Sequence, residues 1–279
     1  MPELPEVRVH ADRLAGEFVG RTLAKFEPIT FTALKTAMPP VSAALGHHVT
    51  NVASRGKFLL LSLDGDVTFV IHLMQGGRLV PDTRLSARPR GGVCRWRFDT
   101  GPALLLTEAG TERKAGTWLV QGEPRSQPPI EDLGADADAV AVDELATLLA
   151  STSGRLHGVL RDQHLLAGIG RRLANEICHT AKLSPFAPAN KLTDSQLGAL
   201  HEAINTEITR SLDFERGQQE MVASAKRPAS VHHRTGETCQ VCGDVIRAVE
   251  YRTYTVNYCA TCQTGGKVLA DNTTSKFLR

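Results

Sequence analysis

Lys57-Phe58-Leu59-Leu60-Leu61-Ser62-Leu63, Asp64-Gly65-Asp66, Val67-Thr68-Phe69-Val70-Ile71: two apolar runs meet across a short turn that contains glycine. A tight glycine turn between apolar runs reads as a β-hairpin, because glycine supplies the backbone angles that reverse the chain. Arg95-Trp96-Arg97-Phe98 and Ala103-Leu104-Leu105-Leu106 repeat the pattern around Asp99-Thr100-Gly101-Pro102, and Thr117-Trp118-Leu119-Val120 adds a further strand. Many short strands with short turns predict a β-sandwich or barrel in the first half of the chain. Ahead of them, Val7, Leu14 and Phe18, with Ala11 and Ala15 between, recur at helical spacing. That predicts a helix over 5–18 with one buried face, stopped near Gly20.

After residue 120 the texture changes. Residues 121–138 are rich in Pro, Gly and acid and read as a linker. Helical patterns follow: Asp143-Glu144-Leu145-Ala146 opens one helix with acid at its N-terminus, and 155–161, 171–180 and 194–212 are further candidates. Gly168-Ile169-Gly170 separates two of them. With 279 residues the chain can build two or three domains with real cores. Its 42% hydrophobic and 22% charged content is that of an ordinary globular protein. No apolar run reaches the length of a membrane span and the start lacks a signal-peptide pattern, so a cytoplasmic protein is expected.

The net charge is only +2, with a pI of about 8.2. Any nucleic-acid surface must therefore be a local patch offset by acid elsewhere. The acid is segregated: Glu131, Asp132, Asp136, Asp138, Asp143 and Glu144 lie in one stretch. Basic residues cluster over 84–97, at Arg113-Lys114, at Arg171-Arg172, and through Lys226, Arg227 and Arg234.

Cys239-Gln240-Val241-Cys242 and Cys259-Ala260-Thr261-Cys262 are two CxxC pairs with sixteen residues between them, a span that can run out and back as a hairpin. The spacing fits a four-thiolate zinc site. Disulfides or free thiols are the alternatives, and a reducing cytosol disfavours the first. Four thiolates fill a tetrahedral shell, so the metal is expected to be structural and to take no part in chemistry. Cys94 and Cys178 stand alone and read as core residues.

The chain begins Met1-Pro2-Glu3-Leu4-Pro5-Glu6-Val7. If Met1 is removed, Pro2 carries a free secondary amine, and an iminium made from it has no N–H to lose and stays cationic. If Met1 stays, Pro2 is an amide and that chemistry is closed. This start, the four cysteines, Lys57 within Ser54-Arg55-Gly56-Lys57, Leu160-Arg161-Asp162-Gln163 and Leu166-Ala167-Gly168-Ile169-Gly170 followed by Ala174-Asn175-Glu176 occur in the same order as in one family. Together they resemble the formamidopyrimidine-DNA glycosylase and endonuclease VIII family of DNA repair enzymes. The resemblance implies a multidomain α+β protein: an N-terminal catalytic β-sandwich with its helix over 1–127, a linker over 128–140, a helix-two-turn-helix DNA-binding domain over 141–228 and a zinc finger over 229–279. It implies a base-excision enzyme, a monomer in the bacterial cytosol, acting on damaged double-stranded DNA with one structural zinc. Pro2 would attack C1′, Glu3 would support the cation or protonate the sugar ring oxygen, and Lys57 would hold the reacting sugar and its phosphates. DNA contacts are expected from Met74, Arg90, Arg113, Gly168, Gly170, Arg171 and Arg252. Zinc is expected on Cys239, Cys242, Cys259 and Cys262.

Several positions depart from the family's pattern. Arg171 stands where Asn is usual after Gly-x-Gly, Tyr254 where the finger carries Arg, and His157 where a Lys is expected. His72-Leu73-Met74-Gln75 and Arg113-Lys114-Ala115 replace the usual His-Leu-Gly-Met and Arg-Arg-Phe runs. An enzyme that acts on a base must extrude it and fill the gap. The oxidised-guanine specificity is therefore not carried over, and a second, δ-elimination step is left open. Two rivals stand beside the bifunctional enzyme: an abasic-site lyase or unusual-adduct enzyme with little oxidised-base activity, and a non-enzymatic damage binder. The Pro2, Glu3 and Lys57 set argues against the latter.

Overall fold

The structure is a computed structural model that describes residues 1–110, 113–222 and 226–269. Positions 270–279, the end of the segment read as a zinc finger, lie outside the described residues. The chain forms two compact units, Met1–Leu133 with Gln218–Ser224, and Gly134–Gly217 with Ala225–Arg279.

The first unit opens with helix α1, Leu4–Phe18. Glu3 is its N-cap: the Glu3 N–H donates to Glu6 Oε2 at 3.0 Å, and the Glu3 carboxylate accepts from the Glu6 N–H. Carboxylates suit the positive end of a helix, and this reciprocal pair satisfies two otherwise orphan donors. Eight strands follow: β1 Leu23–Pro28, β2 Val49–Arg55, β3 Phe58–Leu63, β4 Val67–His72, β5 Gly77–Asp82, β6 Gly92–Phe98, β7 Ala103–Glu108 and β8 Gly116–Gln121. They form two antiparallel sheets, ordered β1-β6-β7-β5 and β2-β3-β4-β8. Both hairpins expected from the sequence are present, as β3-β4 and β6-β7.

One core lies between the sheets, and α1 seals it with Val7, Ala11, Leu14 and Phe18. Phe69 of β4 meets Phe26 of β1 at 5.4 Å and Trp96 of β6 edge-on at 5.6 Å. Aromatic pairs at such distances contribute beyond their buried area. All six residues of β4 are buried, because its other face is covered too. There Val70 joins Leu60, Val120 and Ile130, with Leu133 beside them. Residues 130–133, read as linker, thus roof the second sheet.

Strands β1, β2 and β5 escaped the sequence reading. The register of β1 shifts between Leu23 and Lys25, and that of β2 between Val49 and Asn51. Such bulges break the two-residue alternation by which a strand is recognised. In β5, Pro81 and a run of half-exposed positions hide the same signal.

The second unit is helical with a small β element. Ala135–Asp136 (β9) pairs in parallel with Leu166–Ala167 (β10), and Ala137 and Val140 are buried, so this part of the 128–140 segment is also ordered structure. Helices α2 Val142–Ala150, α3 Leu156–Leu160, α4 Arg171–Thr180 and α5 Asp194–Arg216 follow. Helix α5 starts at a Thr193/Gln196 capping box and runs four residues past the expected 212. The hairpin β11 Ile246–Glu250 and β12 Thr255–Cys259 leads into the short helix α6, Ala260–Thr264.

Candidate active site and nucleic-acid interface

Pro2 and Glu3 are buried beneath a half-exposed Met1. Lys57 sits in the turn between β2 and β3, where Gly56 takes a positive φ of 54°. It is only 6% exposed, which is far from the solvated surface lysine that is the common case. Its ammonium and the positive chain start both act on His72, the last residue of β4. Burial first, then these two charges, push His72 down to about 4. A neutral His72 ring accepts at Nδ1 from the Met74 N–H at 3.2 Å and lies 4.5 Å from the Phe58 ring. This bond holds Met74 at φ +51°, a left-handed conformation that a non-glycine residue keeps only under local constraint.

Met1, Met74, Gln75, Glu108 and Lys114 line one cleft of about 420 Å³. Arg78, Arg90 and Arg113 line a second, of about 460 Å³. The two share Gly76, Glu108, Ala109 and Gly110 as a common wall. A Cβ on Gly76 would lie 2.2 Å from the Ala109 carbonyl oxygen, so glycine is what lets this wall close. The expected Met74 thus borders the cleft at the chain start, while Arg90 and Arg113 come together in the neighbouring one. Arg78 was not foreseen; a lone arginine in a half-exposed strand carries no signal in sequence. Ala115, in the wedge position, is buried, and its N–H donates to Glu108 Oε2 at 2.7 Å.

In the second unit, Gln163 shapes the Gly-x-Gly turn. Its amide donates to the Ile169 carbonyl at 2.9 Å and accepts from the Gly168 N–H at 3.0 Å. Gly168 has φ +105°, and Gly170 is the N-cap of α4 in extended backbone. Arg171 is exposed, yet its Nη1 donates to the Thr253 carbonyl at 3.0 Å, in the β11-β12 turn that also carries exposed Arg252. Tyr254 stacks on Tyr251 at 4.6 Å and on His157 at 6.2 Å, with the Arg161 guanidinium 4.5 Å from its ring centre. A part-buried polar network unseen in the sequence lies behind this stack. Asn175 Nδ2 is 2.9 Å from His232 Nδ1, and Asn257 Oδ1 accepts from the His233 N–H at 3.0 Å. Burial above all, with Arg161 nearby, drives His157 down to about 3.

The four cysteine sulfurs lie within 4.8 Å of one another. A tetrahedral zinc with bonds of about 2.3 Å places its sulfurs about 3.8 Å apart. The Cys239–Cys262 and Cys242–Cys259 pairs stand at 3.9 and 3.3 Å, so the donor set fits such an ion. Gly243, with φ +81°, closes the first turn, and Cys259 caps α6, which carries Cys262.

The model of the formamidopyrimidine-DNA glycosylase N-terminal domain matches residues 1–118, and that of the H2TH domain of the same enzyme matches residues 133–222. The formamidopyrimidine-DNA glycosylase of Chloroflexus aurantiacus is 31% identical over 276 residues, covering 94% of this chain and 98% of that protein. Endonuclease 8 of Klebsiella pneumoniae is 33% identical, covering 94% of this chain and all of that protein. The chain belongs to the formamidopyrimidine-DNA glycosylase and endonuclease VIII family. Members of this family are base-excision DNA glycosylases with abasic-site lyase activity. An uncharacterised formamidopyrimidine-DNA glycosylase-like protein of Mycobacterium tuberculosis is 46% identical over 154 residues, 54% of this chain. Among solved structures, the MutM (Fpg) protein of Thermus thermophilus superposes with a TM-score of 0.82 at 26% identity, covering 96% of this chain. The Lactococcus lactis enzyme bound to DNA with an abasic site gives 0.82 at 21%, a likeness of fold. No helix among the described residues is long and apolar enough to cross a membrane.

Proposed function

We propose that this chain is a bifunctional DNA glycosylase and abasic-site lyase of damaged double-stranded DNA, with the Pro2 amine as nucleophile once Met1 has been removed. The observation that carries the reading is the convergence of the chain start, Lys57 and the Met74 backbone on His72, beside an open cleft. The amine nitrogen attacks C1′ of the damaged nucleotide. The base departs with the C1′–N bonding pair and takes up a proton; the adduct nitrogen gives up its N–H, and its lone pair then opens the sugar as Glu3 delivers a proton to the ring oxygen. The resulting iminium withdraws electrons from C2′, which loses a proton, and the C3′–O bond breaks in β-elimination. The Lys57 ammonium, with little access to water, holds the phosphate beside the reacting sugar. Arg78, Arg90 and Arg113 take phosphates further along the duplex. Gly168, Gly170, Arg171 and Arg252 form a second contact at the N-terminus of α4, where the positive end of the helix dipole and the two guanidinium groups favour an anion. Cys239, Cys242, Cys259 and Cys262 hold one structural zinc, which when bound supplies the fold of the finger. The domain limits follow the family: catalytic to 127, a connecting segment to 140, helix-two-turn-helix to 228, then the finger.

Borohydride trapping on abasic-site DNA tests the chemistry. A covalent adduct is expected from protein that starts at Pro2, and none from a form that retains Met1. Equal adduct from both forms would remove Pro2 from the mechanism. A narrower reading, abasic-site lyase with little activity on oxidised bases, is favoured by three features. They are the buried Ala115 in the wedge position, the Tyr254 stack in the finger, and the tie of Arg171 to Thr253. Excision across a panel of lesions separates the two.

A further inference from the structure

The ion expected in the finger leaves a charge to be met. Zinc with four thiolates carries a net charge of −2, and Cys239, only 1% exposed, holds its sulfur away from water. A buried thiolate is costly unless protein N–H groups replace the lost hydration. His179 lies in the last turn of α4, is 5% exposed, and places Nε2 3.5 Å from Cys239 Sγ. That distance suits an N–H···S hydrogen bond with Nε2 protonated. The ring belongs to a helix outside the finger, so the bond crosses from one element to another.

We propose that His179 is a positioning residue of the four-thiolate centre, a donor that fixes the Cys239 thiolate and ties zinc retention to α4. The reading rests on zinc being the ion held there. Other contacts make α4 a suitable anchor. Gln263 donates from Nε2 to the Leu183 carbonyl at 3.0 Å, just past α4, and its Oε1 accepts from the Cys259 N–H at 2.8 Å. At the other end of α4, Arg171 holds the hairpin turn through Thr253. The helix that opens at the Gly-x-Gly turn is thus fastened to the finger at both ends, and its last turn reaches a ligand sulfur directly. Loss of the ion would loosen the end of α4, and loss of the His179 donor would loosen the ion.

The test measures zinc release from the full chain to a chromophoric chelator, comparing wild type with His179→Leu, His179→Gln and His179→Asn. Outer partners of metal ligands typically change affinity by about 10–100-fold. Release from His179→Leu is therefore expected to be about tenfold faster or more. Gln can still present an N–H to the sulfur and should release near the wild-type rate, whereas the shorter Asn should resemble Leu. In cobalt-substituted protein, the thiolate-to-metal charge-transfer band should move to lower energy in His179→Leu, because an unbonded thiolate is more easily oxidised. Equal release rates across the four proteins, or an unmoved band, would overturn the proposal. If His179→Leu does not fold, the Gln and Asn variants decide, since they share polarity and differ in reach. Absence of zinc from the wild-type protein by elemental analysis would instead refute the zinc reading itself.

Discussion

Four histidines, two in each unit, sit in surroundings that keep their rings neutral; His10, His72 and His157 are buried and His232 is partly so. Burial is the first cause in every case: it pushes His10 and His72 down to about 4, and His157 and His232 to about 3. An unfolded chain titrates its histidines near 6.5. Between pH 6.5 and 4 the unfolded state therefore binds protons that the folded state refuses. Stability is full above 6.5 and falls as the pH drops through that window, by about 1.4 kcal/mol per pH unit for each fully protonated histidine. Denaturant midpoints at pH 7.5, 6 and 5 check this; a flat profile would contradict it. Lys57 makes a sharper case, since its charge is the second cause of the His72 shift. Lys57→Met should raise the His72 pKa in an NMR titration and reduce trapping on abasic DNA. A changed pKa with full trapping would leave Lys57 as a structural neighbour only.

At the scale of elements, the two clefts of the first unit depend on the close approach of β5 to the chain after β7. A methyl group on Gly76 would meet the Ala109 carbonyl at 2.2 Å. Gly76→Ala should cost about 1–3 kcal/mol through forced backbone shifts. It should also lower trapping by more than the stability loss explains, because both clefts share that wall. Phe69→Ala removes the ring that packs from the second sheet onto the Phe26–Trp96 pair of the first, and should cost about 3–5 kcal/mol in chemical denaturation. The same elements show what was legible beforehand. The β3-β4 and β6-β7 hairpins alternate or run apolar without interruption and announce themselves. Strands β1 and β2 carry bulges, and a shifted register removes the period that would reveal them.

For the whole molecule, the tryptophans and tyrosines divide by unit. Trp96 and Trp118 lie in the first unit, while Tyr251, Tyr254 and Tyr258 all lie in the second, in or beside the finger hairpin. Chelation of zinc should therefore alter the tyrosine near-UV signal and weaken DNA binding, yet leave tryptophan emission unchanged. The four sulfurs hold together a finger whose apolar cluster is small, and such modules rely on their metal to fold. The first unit instead has a continuous core of its own. A loss of tryptophan signal in step with the metal would show that the finger supports both units.

The amino-acid sequence by itself determined the parts whose meaning is local. Two CxxC pairs sixteen residues apart specify a sulfur site because ligand spacing and chain reach suffice. Gly168 marks a turn that needs backbone freedom, and the order of motifs specifies the family. Only the tertiary structure decided which side chains meet. It buried Lys57, set its charge and that of the chain start on His72, gathered Arg78 with Arg90 and Arg113, and stacked Tyr254 on His157. It also carried His179 of α4 to Cys239, sixty residues away. Such pairings depend on packing between distant segments, and neither composition nor periodicity encodes the distance between residues far apart in the chain.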